Sequence, residues 1–287
     1  MTTTLPVDEK ILFDFIDAAL HEDVREGDHT SLACIPKDAR NRAKLLVKDA
    51  GVISGVEFAK YVFKRLDETA TFDVFIEDGT SVSFGDIAFE VECNAQALLK
   101  GERLVLNTMQ RMSGVSTLSN RFKFEVEDLP VKIIDTRKTT PLMRFLEKWA
   151  VTLGGCHNYR HGLYDWVMIK DNHIDACGGI AKAINRVAEY QKENGLNLNV
   201  TVEVRNLIEL YEVLENGKVT RIMLDNFDLP LLKEAVEIIG DKFETEASGG
   251  VNIHTVRKIA KSGVQYVSVG ALTHSAPTLD MSLKVIK

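Results

Sequence analysis

Trp166-Val-Met-Ile-Lys-Asp171, Asn199-Val-Thr-Val-Glu-Val204 and Arg221-Ile-Met-Leu-Asp-Asn226 are short apolar runs that carry charge at their C-terminal ends. Val131-Lys-Ile-Ile-Asp-Thr136, Thr245-Glu-Ala-Ser-Gly-Gly250 and Tyr266-Val-Ser-Val-Gly-Ala271 follow the same plan, the last two ending in small residues. Most are rich in β-branched residues and helix-like segments separate them, which predicts parallel strands in successive βα units. Their C-terminal ends bring Asp135, Arg137, Lys170, Asp171, Glu203, Asp225, Ser248 and Gly270. In an α/β barrel those ends meet on one face, and that face carries the active site. The pattern is that of an enzyme.

Upstream the rhythm changes. Residues 8–22 have the apolar stripe of an amphipathic helix with Asp8 placed to cap it, and Glu22 to Thr30 reads as a polar turn. Strands are expected over Ala43–Lys48, Phe72–Ile76 and Ile87–Val91, and a helix over Val56–Leu66. A long helix begins near Lys100 and runs to about Glu127, supported by Leu104, Leu106, Met109, Met112, Val115, Leu118 and Phe122. The fold class is therefore α/β: an N-terminal α+β sandwich-like domain followed by an open TIM-like α/β barrel of six or seven strands. The expected division is residues 1–112, joined by 275–287, and residues 113–274 with the active site.

Of 287 residues, 45% are hydrophobic and 27% charged, which suits a globular protein with a large core. A net charge of −7 argues against nucleic acid or an anionic membrane as partner. Four scattered cysteines with no CxxC pair predict free thiols in a reducing, cytoplasmic compartment. Met1 to Pro6 lacks a basic segment followed by an apolar core, so no secretory leader is expected, and no apolar stretch is long enough to span a membrane.

The densest chemistry lies in Asp135-Thr-Arg-Lys-Thr-Thr-Pro141, where a strand runs toward a helix start with proline at its first position. Arg137 and Lys138 there suit a carboxylate or phosphate, or are solvated bases. Arg160 lies in a glycine-flanked loop. Lys170 has three readings: Schiff-base nucleophile, anion anchor, or salt-bridge partner of Asp171. Glu203 and Asp225 end consecutive strands and suit ribose hydroxyls, hydrated Mg²⁺ or a developing positive charge, or they neutralise nearby bases. Ser248-Gly-Gly250 opening a helix, with Gly270 one unit later, matches a barrel phosphate site. Arg103, taken alone, is a surface base on the long helix.

Read together, the segments resemble the quinolinate phosphoribosyltransferase family. The resemblance rests on Glu22-Asp, Gly27-Asp-His-Thr-Ser31, Gly101-Glu-Arg103 with Asn107, Arg111-Met-Ser-Gly114 and Asp135 to Pro141. It continues through Gly162-Leu, Ile169-Lys-Asp-Asn-His173, Val202-Glu-Val204, Met223-Leu-Asp-Asn226 and Ala247-Ser-Gly-Gly250. It implies that quinolinate and phosphoribosyl pyrophosphate become nicotinate mononucleotide, pyrophosphate and CO₂, with Mg²⁺, in de novo NAD biosynthesis. Arg103, Arg137 and Arg160 would hold the dianion, with Lys138 and Lys170, and Arg103 would come from the neighbouring subunit of a homodimer or higher oligomer. Glu203 and Asp225 would stabilise charge on the ribose and hold Mg²⁺ directly or through water. Lys138, Lys170, Glu203 and Asp225 would form the catalytic set. Ser248, Gly249, Gly250, Gly270 and His274 would take the 5′-phosphate. Where the family usually has Asn-His-Arg, this chain reads Asn158-Tyr159-Arg160, which places Tyr159 among the substrate-binding candidates with one hydrogen bond to give.

The nearest alternative is a paralogous phosphoribosyltransferase acting on nicotinate or another acid. The number of fixed cations favours a diacid over a monoacid. An aldolase-type barrel using Lys170, or a phosphosugar sensor without turnover, explains less of the pattern.

Overall fold

The computed structural model describes residues 7–286; residues 1–6, with the expectation about a leader, and residue 287 lie outside the described residues. The chain runs through α1 (Glu9–Val24), α2 (His29–Cys34), β1 (Arg40–Val47), β2 (Gly51–Val52), α3 (Val56–Leu66) and β3 (Thr71–Val74). Next come β4 (Ser81–Val82), β5 (Ile87–Asn94), α4 (Ala95–Phe124), β6 (Lys132–Ile134), α5 (Arg144–Leu153) and β7 (Val167–Ile169). They are followed by α6 (Asp171–Cys177), α7 (Ile180–Glu193), β8 (Val200–Val204), α8 (Leu207–Asn216), β9 (Arg221–Asp225) and α9 (Leu229–Ile239). The last are β10 (Glu244–Ser248), α10 (Val256–Ala260), β11 (Tyr266–Ser268), α11 (Ala271–His274) and β12 (Met281–Val285).

Two compact units emerge. The first comprises residues up to Asn120, residues 139–155 and the C-terminal residues from Ser275; the second comprises residues 121–138 and 156–274. In the first, an antiparallel sheet has the order β12-β1-β5-β3, so the last strand returns to the first domain as a sheet edge. Phe58, Phe63 and Phe89 are fully buried there, and Phe72 packs at a tilt between Phe63 and Phe89 with centroid distances of 6.0 and 5.4 Å. Asp8 caps α1 by accepting from the Lys10 amide. The expected polar turn is shorter than its sequence suggests: Asp28 accepts from the Ser31 amide and starts α2 at His29. The boundary expected at residue 112 falls inside α4, a single helix of 30 residues.

The second unit is a parallel sheet in the order β6-β11-β10-β9-β8-β7. Its strands are buried on both faces, β8 at all five positions, as a barrel wall covered by helices requires. Beside β6, His157 bridges Ile134 in parallel, and the Asp135 amide donates to the His157 carbonyl. Residues 157–159 thus form the rudiment of a seventh strand in an open barrel.

Two local expectations need correction. Pro141 does not begin a helix: α5 starts at Arg144, after a turn in which Leu142 has φ +63° and the Met143 amide donates to the Thr140 carbonyl. Buried Glu147 fixes that turn by accepting from the Thr140 amide and hydroxyl and from Arg111. Likewise, Ser248-Gly-Gly does not open a helix directly, since α10 begins only at Val256.

Candidate active site

A period-two alternation decides which side chains face the barrel interior. Thr201 and Glu203 on β8, Arg221, Met223 and Asp225 on β9, and Glu246 and Ser248 on β10 follow it. So do Tyr266, Ser268 and Gly270 along and after β11. The upper members of each series, with Thr136, Arg137, Lys138, Tyr159, Arg160, Met168, Lys170, Asn226, Gly249, Gly250 and His274, line a cavity of about 900 Å³. That volume suits a nucleotide-sized ligand. Every site candidate in the barrel unit lies on this wall. Arg103, exposed on α4 in the other unit, is not among the lining residues.

Opposite charges are sorted within the cavity. Lys170 Nζ lies 2.5 Å from Glu203 Oε2, with the carboxylate side chain 10% exposed and the lysine 42%. Lys170 thus pairs with Glu203, and its amine does not sit in the apolar recess that activates a Schiff-base lysine. Asp225 accepts from the Ser248 hydroxyl and from Asn226 Nδ2 at 2.6 Å. The Lys138 amide donates to Thr136 Oγ1, and its carbonyl accepts from Thr273 at 2.8 Å, which fixes the backbone beside Arg137. Burial holds the Arg160 guanidinium below its ordinary pKa, and repulsion from Arg137 adds to that effect. Two arginines close enough to repel are an arrangement prepared for an anion.

The phosphate candidates form a turn. Gly249 and Gly250 have φ of +93° and +60°, a region in which a Cβ is strained, and a Cβ on Gly249 would also collide with the Asn226 side chain. The Asn226 amide donates to the Ser248 carbonyl, tying the ends of β9 and β10 together. Asn226 itself has φ +56° and lines the cavity, although the sequence reading gave it no role.

Beneath the cavity lies a layer of which the sequence singled out Tyr159 alone. Arg221, 5% exposed, pairs with Glu244 at 2.8 Å and with fully buried Glu246 at 3.3 Å. Its guanidinium is enclosed by Tyr266, Tyr159 and Trp166, whose ring centroids lie at 3.6, 5.0 and 5.1 Å. Burial pushes the Glu246 carboxyl up, while Ser268, Arg221 and Tyr159 favour its charged form. Tyr159 belongs to this layer: its hydroxyl lies 2.6 Å from Thr201 Oγ1, which also accepts from Trp166 Nε1 at 2.9 Å. The available signal was Arg221 and Glu246, charges set inside apolar runs at inward positions.

Comparison with known proteins fits this geometry. The C-terminal domain of quinolinate phosphoribosyl transferase matches residues 115–284 and its N-terminal domain matches residues 28–113. The chain belongs to the quinolinate phosphoribosyltransferase family. It is 45% identical to "Quinolinate phosphoribosyltransferase [decarboxylating] 1b" of Nicotiana tabacum, over 94% of this chain and 81% of that protein. It is 45% identical, over the same shares, to the chloroplastic "Nicotinate-nucleotide pyrophosphorylase [carboxylating]" of Arabidopsis thaliana. The crystal structure of NadC from Streptococcus pyogenes superposes with a TM-score of 0.90 at 34% identity, covering 99% of this chain and all of that one.

Metal candidates are limited to Glu203 and Asp225. Among the described residues no group of three or more His, Cys, Asp or Glu is placed to hold a metal ion, and both carboxylates already have protein partners. That donor set fits Mg²⁺ brought with a polyphosphate, which needs only one or two carboxylates and keeps much of its water. No helix among the described residues is long and apolar enough to cross a membrane.

Proposed function

We propose that this enzyme transfers the phosphoribosyl group of phosphoribosyl pyrophosphate to quinolinate, giving nicotinate mononucleotide, pyrophosphate and CO₂ in de novo NAD biosynthesis. One observation carries the reading: a family member's barrel mouth that sets Arg137, Lys138, Arg160 and Lys170 against only two carboxylates, beside a glycine turn. A planar dianion meets guanidinium groups well, and a diacid uses more fixed cations than nicotinate offers charges.

In this reading the pyridine nitrogen attacks ribose C1′ as the bond to pyrophosphate breaks. Positive charge builds on the ribose, where Glu203 and Asp225 stabilise it and accept from the ribose hydroxyls. The carboxylate next to the now cationic ring nitrogen then leaves as CO₂. Its bonding electrons stay on the ring carbon, which takes a proton. Arg137 and Arg160, with Lys138 and Lys170, hold the carboxylates, and the turn Ser248–Gly250 with Gly270 and His274 holds the 5′-phosphate. No side chain is assigned as acid or base; orientation and charge supply most of the rate. Mg²⁺, held by Glu203 or Asp225 through water, would neutralise the departing pyrophosphate.

The same reading takes residues 113–274 as the catalytic domain, with 1–112 and 275–287 as the smaller one. Arg103, exposed on α4, would complete the pocket of a neighbouring subunit in a homodimer or larger assembly. Four cysteines, none of them in a disulfide among the described residues, fit a reducing compartment, here the cytoplasm.

Pyrophosphate release with quinolinate or nicotinate as acceptor tests the substrate. Turnover of quinolinate alone is expected, and turnover of nicotinate alone would reassign the enzyme to the paralogous activity. Mixing an Arg103→Ala variant with a Lys170→Met variant tests the assembly. Restored activity is expected, because one mixed site keeps both residues; silent mixtures that have exchanged subunits would place Arg103 in its own chain's site.

A further inference from the structure

The layer beneath the cavity has an organisation that substrate contacts alone do not require. Tyr159 is 8% exposed, its amide donates to buried Asp135 at 2.8 Å, and its ring meets Trp166 edge-on at 5.4 Å. Burial and the neighbouring Glu246 carboxylate push the Tyr159 hydroxyl above the ordinary range of a phenol. The hydroxyl therefore stays protonated and is committed to Thr201, with Glu246 beside it. Above the ring, Met168 and Met223 pack with Tyr159 and Ile134 and reach the cavity wall.

We propose that Tyr159 is a positioning residue: it closes the floor of the substrate pocket, with its hydroxyl fixed below by Thr201 and Glu246 and not offered to a substrate carboxylate. The ring covers the buried Arg221–Glu246 pair, so that this guanidinium is withheld from the substrate. Within this chain's own cavity the carboxylates of the substrate are then met by Arg137, Lys138, Arg160 and Lys170. Thr201 is fully buried, is not among the cavity-lining residues, and acts on the pocket only through Tyr159 and Trp166.

The inference rests on the proposed quinolinate reaction for its kinetic arm and not for its folding arm. In Tyr159→Phe, loss of the hydroxyl's bonds to Thr201 and Glu246 lets the floor shift, so kcat falls about three- to tenfold while the quinolinate KM stays within about twofold. Thr201→Val removes the other half of the same bond and should reproduce that split, whereas Thr201→Ser, which keeps the oxygen, should restore wild-type kinetics. Thermal midpoints of both single variants and the double variant read the coupling without activity. The double variant should lose clearly less than the sum of the two single losses, because both remove the one Tyr159–Thr201 bond. A quinolinate KM raised tenfold or more in Tyr159→Phe at unchanged kcat would mean that the hydroxyl holds a carboxylate. Additive losses in midpoint would mean that Tyr159 and Thr201 do not share a bond. Either result overturns the proposal. If no variant, nor the parent, turns over quinolinate, the functional reading falls, and the midpoints still decide the Tyr159–Thr201 coupling.

Discussion

Glu203 is 8% exposed and holds the Lys170 ammonium at the C-terminal end of a strand, so its charge acts where the surroundings screen it least. Glu203→Gln keeps the shape and removes the charge. It should lower kcat about 100-fold or more, with a smaller change in KM, as measured by steady-state kinetics at saturating phosphoribosyl pyrophosphate. Equal losses in a binding assay and in kcat/KM, with kcat intact, would reduce Glu203 to a substrate anchor. Outside the site, Asp128 has its carboxyl lowered to about 2 by a hydrogen bond from Arg257, with the guanidinium charge adding to it. A carboxylate lowered by folding stabilises the fold above its unfolded pKa, and the effect disappears as pH falls through the folded value. The midpoint difference between the parent and Asp128→Asn should therefore be present at pH 5 and above and vanish near pH 2. The residues at strand ends were legible because a charge closing an apolar run is conspicuous. Thr201 and Glu246 were not, nor was the partner of the Tyr159 hydroxyl, because these contacts depend on which strand lies opposite, and a single run does not record its neighbours. Cys156 and Cys93, pushed up by burial to about 12 and about 11, are inert core thiols.

At the scale of elements, Gly114 on α4 shows why one position in a helix interior carries no side chain. A Cβ there would fall within the Pro277 carbonyl, on the segment that leads to β12. Backbone cannot yield as a side-chain end can, so Gly114→Ala should destabilise the protein by about 1–3 kcal/mol, despite alanine's better helix propensity. Chemical denaturation would measure it; an unchanged or raised stability would mean that the helix and the return segment separate freely. The same pairing explains what periodicity could and could not reach. The six barrel strands and α3 followed from apolar patterning, and the return of the C-terminus was expected because its last residues did not continue the βα rhythm. The starts of α2 and α5 were missed, since each is set by a side chain that accepts from the backbone: Asp28 at Ser31, and Glu147 at Thr140. Such contacts lie outside any repeat.

Across the whole molecule, a formal charge of −7 coexists with a cavity in which four cationic side chains face two carboxylates. An anionic substrate is drawn to the mouth by a field that salt screens. Raising ionic strength from about 0.05 to about 0.5 M should therefore lower kcat/KM for quinolinate several-fold, through KM, with kcat little changed. A salt-independent KM would mean that the cavity cations are neutralised before substrate arrives.

In the proposed reaction this cavity joins a dianionic pyridine to a phosphoribosyl group and releases one carboxylate. The most direct test supplies quinolinate labelled in the carboxylate next to the ring nitrogen, with phosphoribosyl pyrophosphate and Mg²⁺, and counts CO₂ and pyrophosphate. Equimolar release of the two, dependent on phosphoribosyl pyrophosphate, is the predicted result. Pyrophosphate without labelled CO₂, or neither product, would contradict it.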